Sequence, residues 1–165
     1  MATTTTTTTN KVKAIPDGYH SVTPYLCIKG AQRALDFYQK AFSAEVLYKL
    51  DMPDGRIGHA EIQIGNSRLM LSDEMPEMPD AIAKSPASLG GSTAGYNIYV
   101  EDVDARFKQA VGAGAKVRRP VTNQFYGDRS GTVEDPFGHF WTISTHVEDI
   151  SPDEIVKRAA KLTGG

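Results

Sequence analysis

The chain has 165 residues, 40% hydrophobic and 23% charged, with a formal net charge of −2; this suffices for one domain, or for two small halves sharing a core, and supplies no basic field for a nucleic-acid backbone. Cys27 is the sole cysteine, so no intrachain disulfide forms and a reducing, cytoplasmic setting is expected. No apolar run approaches the ~20 residues of a membrane-spanning helix, and the amino terminus lacks the basic start and apolar centre of a secretory signal.

The threonine run Thr3 to Thr9 offers nothing to bury, and residues 1–15 are expected to form a disordered leader. From Ser21 the pattern changes. "VTPYLCIKG" reads as a strand, and "AQRALDFYQKAF" spaces Ala34, Leu35, Phe37, Tyr38, Ala41 and Phe42 as one helical face. Three short strands follow to residue 73, separated by the turn signals Pro53-Asp54-Gly55 and Gly65-Asn66. Residues 16–73 thus read as a first β-α-β-β-β module. Residues 74–92, with prolines, glycines and serines but no sustained period, read as a linker carrying at most a short helical turn.

The same order then returns over residues 93–146. "GYNIYVED" reads as a strand, "VDARFKQAVGAG" as a helix, and "AKVRRPVTNQ", "GTVEDP" and "HFWTIST" as strands. "GRIGHAEIQIG" and "DRSGTVEDPFG" align with an offset of 73, matching Arg56 with Arg129, Gly58 with Gly131, Glu61 with Glu134 and Gly65 with Gly138. The chain is therefore read as a duplicated α+β module. In the tail, residues 147–165, Ser151, Pro152 and Glu154 form a capping signature for a terminal helix suited to packing or dimer contact.

Strand alternation separates two kinds of face. In "HAEIQI", Ala60, Ile62 and Ile64 can cover a helix, leaving His59, Glu61 and Gln63 opposite. In "GYNIYV" the second face holds Gly95, Asn97 and Tyr99; in "FWTIST" it holds Thr142 and Ser144, with Trp141 assigned to the core. A sheet with one solvated face would alternate in the same way. Asp135-Pro136-Phe137-Gly138 reads as a turn, His139 as exposed or capping, and His146 and His20 as lacking partners.

A duplicated β-α-β-β-β module of this length resembles the vicinal oxygen chelate superfamily of glyoxalase I, bleomycin resistance proteins and extradiol dioxygenases. "ALDFYQKAF", "LMLSDE" and "GDRSGTVEDPFGHFW" resemble its PhnB-like branch. The resemblance implies two tandem βαβββ modules forming open β-cups with helices on the convex face, a small-molecule ligand and a homodimer. It makes Tyr25, His59, Glu61, Gln63, Met70, Asn97, Tyr99 and Thr142 cup-lining candidates, with Phe125, Tyr126 and Arg129 at a rim able to clamp a flat or anionic ligand. The superfamily's metal-ligand positions fall on Thr23, Met70, Gly95 and Thr142, none an ordinary ligand for a catalytic divalent ion, so no metal or other cofactor is expected. His59, Glu61 and Glu134 are the candidates for general acid-base work, where burial would raise a glutamate pKa toward neutrality, or for a noncanonical metal site. The leading expectation is a metal-free binding protein or an enzyme of unspecified reaction. The alternatives are a metal-dependent lyase or isomerase of glyoxalase type, and an antibiotic-sequestering protein.

Overall fold

In the computed structural model, which describes residues 12–79 and 83–163, two modules repeat one plan. The first runs β1 (Tyr25–Ile28), α1 (Ala31–Phe42), β2 (Glu45–Asp51), β3 (Ile57–Ile64) and β4 (Ser67–Asp73). After a connecting α2 (Pro86–Leu89), the second runs β5 (Gly95–Tyr99), α3 (Val103–Gly112), β6 (Lys116–Asn123), β7 (Asp128–Glu134) and β8 (Phe140–His146). A last helix, α4 (Pro152–Thr163), follows. The sheets are ordered β1-β4-β3-β2 and β5-β8-β7-β6, with the first pair in each parallel and the others antiparallel. The duplication expected from the 73-residue offset is thus a duplication of topology. The threonine run of the expected leader lies outside the described residues; Val12 to Ile15 are exposed and carry no helix or strand.

Local chemistry accounts for the element ends. Asp73, closing β4, accepts from the backbone N–H groups of Gly30 and Ala31 at 2.8 and 2.9 Å, placing a carboxylate on the otherwise unpaired donors at the start of α1. Its other oxygen accepts from Ile57 N at 2.8 Å, tying the same cap to β3. Asp102 and Thr145 perform the equivalent service for α3, accepting from Ala105 N and Val103 N. Pro120 is accommodated because β6 is an edge strand whose pairing with β7 shifts register between Arg119 and Thr122. In the linker, Glu74 accepts from Ser85 Oγ at 2.8 Å and Ser88 Oγ at 2.6 Å, anchoring α2.

Both modules share one hydrophobic core, which includes Leu35, Tyr38, Phe42, Ile62, Leu71, Val133, Trp141 and Ile143. Each fully buried Leu, Ile or Phe side chain there contributes about 2 kcal/mol. Helices α1 and α3 pack against each other, with Arg106 Nη1 donating to Ser43 Oγ at 2.7 Å and Gln109 Nε2 to Lys40 O at 2.7 Å. Trp141 is core, as expected, 4.7 Å from the Phe42 ring and 5.4 Å from that of Tyr38. His139, expected to be exposed or capping, is 4% exposed, which overturns the first of these. The turn folds back so that Asp135 accepts from His139 N at 2.9 Å, while the ring settles 6.1 Å from Tyr96.

Candidate functional site

Alternation leaves each sheet with one face turned away from the helices. On the first sheet, register places Tyr25 beside Met70, Glu61 beside both Met70 and Tyr48, and Leu50 beside His59. A chain of polar contacts crosses this face. The Tyr25 hydroxyl lies 3.1 Å from His59 Nδ1, His59 Nε2 lies 3.4 Å from Glu61 Oε1, and the Tyr19 hydroxyl donates to Glu61 Oε2. One tautomer satisfies the array: Nδ1 accepts from Tyr25 and Nε2–H donates to Glu61. The Tyr19 ring also covers Arg68, whose guanidinium carbon is 4.6 Å from the ring centre. The segment before β1 therefore packs onto the face of the first sheet, and Tyr19 and Arg68 join a site that strand alternation had assigned to His59, Glu61 and Gln63. Gln63 turns aside, donating to Gly65 O at 3.1 Å.

Glu61 departs from the sequence expectation. The hydrogen bond from Tyr19, aided by that from His59, outweighs burial and holds its carboxyl below the usual glutamate range, so it is an anion and acceptor rather than an acid poised near neutrality. Burial and the hydrogen bond to Glu61 raise the Tyr19 hydroxyl correspondingly. Glu134 does not join His59 and Glu61; it lies on the second sheet in an ion pair with Arg118.

On the second sheet, the face away from the helices carries Asn97 and Tyr99 from β5, Thr142 and His146 from β8, and Asp128 from β7. Thr142 Oγ1 is 3.0 Å from Thr132 Oγ1. Asp128, only 6% exposed, accepts from the Tyr99 hydroxyl at 2.8 Å and contacts His146 Nδ1 at 2.8 Å. His146 Nε2 reaches Asp149 Oδ1 at 3.0 Å. Hydrogen bonds to Asp128 first, then Asp149, raise the His146 pKa. Tyr126 stands beside this cluster, its ring 5.2 Å edge-on from Phe125. Arg129, placed at the rim by the sequence, turns the other way: its guanidinium takes both Asp104 oxygens, at 2.8 and 2.7 Å, on α3. Asp128 and His146 were missed because β7 begins three residues before "GTVEDP". Extending the alternation back from Thr132 and Ser130 puts Asp128 on their face.

The four metal-ligand positions do not fit a divalent ion. Thr23 precedes β1, Met70 offers a thioether, Gly95 has no side chain, and the Thr142 hydroxyl is engaged with Thr132. Among the described residues, no group of three or more His, Cys, Asp or Glu side chains is placed to hold a metal. None of the described helices is long and apolar enough to cross a membrane.

Comparison with known proteins agrees with this architecture. Protein Mb0911c of Mycobacterium bovis is 41% identical over 135 residues, covering 82% of this chain and 89% of its own. The solved structure of TioX from Micromonospora sp. ML1 matches with a TM-score of 0.61 at 25% identity, over 78% of this chain and all of TioX. A PhnB protein from Bacillus cereus matches with a TM-score of 0.56 at 18% identity, over 76% of this chain and 99% of that one, a likeness of fold. The profile of the Glyoxalase/Bleomycin resistance protein/Dioxygenase superfamily matches residues 18–143. With its two βαβββ modules and that match over most of its length, the chain belongs to the Glyoxalase/Bleomycin resistance protein/Dioxygenase superfamily.

Proposed function

We propose that this PhnB-like chain binds a small organic molecule on the face of its first sheet, without a resident metal, as a homodimer in the cytoplasm. The observation that carries the proposal is the connected array Tyr25–His59–Glu61–Tyr19, bordered by the exposed apolar surface of Tyr25, Tyr48 and Leu50. A merely solvated sheet face has no need of aromatic and aliphatic groups around an ordered polar chain. A binding surface uses them, with the apolar groups supplying area and a few oriented polar groups supplying selectivity. The donor set at Thr23, Met70, Gly95 and Thr142 supports the metal-free form of the proposal.

The test is a thermal-shift screen of small organic compounds against the parent, His59→Ala and Glu61→Gln. Compounds that raise the parent's melting temperature should lose most of that shift in both variants. Hits that keep their full shift in both would place binding elsewhere. Elemental analysis of untagged protein accompanies the screen. One equivalent of a divalent metal per chain, removed by chelator together with ligand binding, would replace this proposal with the metal-dependent glyoxalase type.

A further inference from the structure

Gly65 and Gly138 are equivalent in the repeat, each in the turn between the third and fourth strands of its module. Their surroundings differ. A Cβ at Gly138 would meet Pro86, because α2 packs over that turn, whereas a Cβ at Gly65 would meet nothing within 4 Å. Beside Gly65 lies a cleft of about 540 Å³, between the end of the first module and β5. β5 is an edge strand, so the peptide groups on its free side have no ladder partner. Phe42 and Trp141, from the shared core, contribute to the lining, and Arg68 is common to the cleft and the His59 face.

The charge around this cleft is one-sided. His20, Arg68 and Arg106 line it, and no aspartate or glutamate among the described residues does. Among the described residues, the hydrogen-bond partner of Arg106 is neutral, Ser43 Oγ. Arg68 Nε is buried with no hydrogen-bond partner among the described residues, while its guanidinium lies under the Tyr19 ring and acts electrostatically on Glu61, which is committed to Tyr19 and His59. Among the described residues, these two guanidinium groups have no carboxylate hydrogen-bond partner; beside the part-exposed Tyr96 and Ile98, in a volume suited to a small molecule, they favour a ligand with one anionic end and an apolar body.

We propose that the cleft is a second binding site, for a small organic carboxylate. Its apolar body rests against the part-exposed Tyr96 and Ile98, close to Trp141, and its carboxylate is taken by Arg106 with Arg68. The site goes beyond the function proposed above; it shares Arg68 with the first-sheet array, so Arg106 is the residue that separates the two.

Trp141 is the only tryptophan in the chain, so its fluorescence reports occupancy directly. The probes are 4-(4-nitrophenyl)butanoate, whose nitroaromatic ring quenches tryptophan, and its uncharged primary amide. The acid should bind the parent at least about ten-fold more tightly than the amide, reflecting charge-assisted hydrogen bonds. Arg106→Met and Arg68→Met should each remove about ten-fold of the acid's affinity while changing the amide's less than about two-fold. Arg119→Met, at an exposed arginine outside the cleft, should leave both unchanged. Arg106→Met is the decisive variant because Arg106, half-buried, belongs to the cleft and not to the first-sheet array; its melting temperature is measured alongside, and Arg106→Lys should recover part of the loss. Equal affinity for acid and amide would overturn the proposal, as would acid binding that survives Arg106→Met in a folded protein. Acid binding lost in His59→Ala but kept in Arg106→Met would assign the probe to the sheet face and overturn it too.

Discussion

His146 stands between two carboxylates, Asp128 Oδ1 at 2.8 Å from Nδ1 and Asp149 Oδ1 at 3.0 Å from Nε2, and only the imidazolium can donate to both. Its folded-state pKa is raised, chiefly by the Asp128 hydrogen bond. The resulting stabilisation is fully present below the unfolded histidine value of ~6.5 and is lost as pH rises through the higher folded value. The parent should therefore lose stability relative to His146→Gln when pH is taken from 6 to about 9. Paired thermal melts across that range check it; a difference between the proteins that stays constant with pH would exclude the ion pairs as its source. The sequence offered no sign of this residue's partners: Asp128 lies eighteen positions away and reaches it only because β7 and β8 pair Asp128 directly with His146.

At the scale of elements, the turn between β7 and β8 is joined to α1 by one buried carboxylate. Asp135 accepts from Tyr38 Oη at 2.8 Å, Trp141 Nε1 at 3.0 Å, and the backbone N–H groups of Phe137 and His139 at 2.9 Å each. Burial opposes its ionisation, but His139, Trp141 and the backbone donors outweigh that and hold the carboxyl below the ordinary aspartate range. Asp135→Asn keeps the shape but turns an NH₂ group toward donors, so it should destabilise the fold by about 2–4 kcal/mol. Urea unfolding at neutral pH measures this. For the parent the sign is that of a depressed carboxylate: the contribution is present above the unfolded value of ~3.9 and is lost as pH falls through the folded one. The turn itself was legible from "DPFG", since Pro and Gly set its dihedrals. Its attachment to α1 was not, because Tyr38 and Asp135 are 97 positions apart.

For the whole molecule, the two sheets meet through their helices and common core, while Tyr25, Tyr48, Leu50 and Tyr99 remain exposed on the faces away from the helices. The free edges of β1 and β5 add peptide groups without ladder partners. A second copy related by a two-fold axis would cover such surfaces without leaving new edges. Sedimentation at micromolar concentration should show a dimer, and Tyr48→Lys with Leu50→Lys should shift it toward monomer. A parent that sediments only as monomer would remove the homodimer from the proposed function.

The sequence by itself determined the architecture, because periodicity, turn residues and the 73-residue repeat are local properties that survive in a one-dimensional reading. It also placed His59, Glu61, Asn97, Tyr99 and Thr142 on the faces away from the helices, since alternation within a strand needs only the strand's position. Which residues then act together was decided by the tertiary structure. Strand pairing brought His146 to Asp128, the segment before β1 carried Tyr19 onto Glu61 and Arg68, and helix contact drew Arg129 from the rim to Asp104. Hydrogen bonds and ion pairs form between groups a few ångströms apart in space, and distances of that kind between remote positions exist only once the chain has folded.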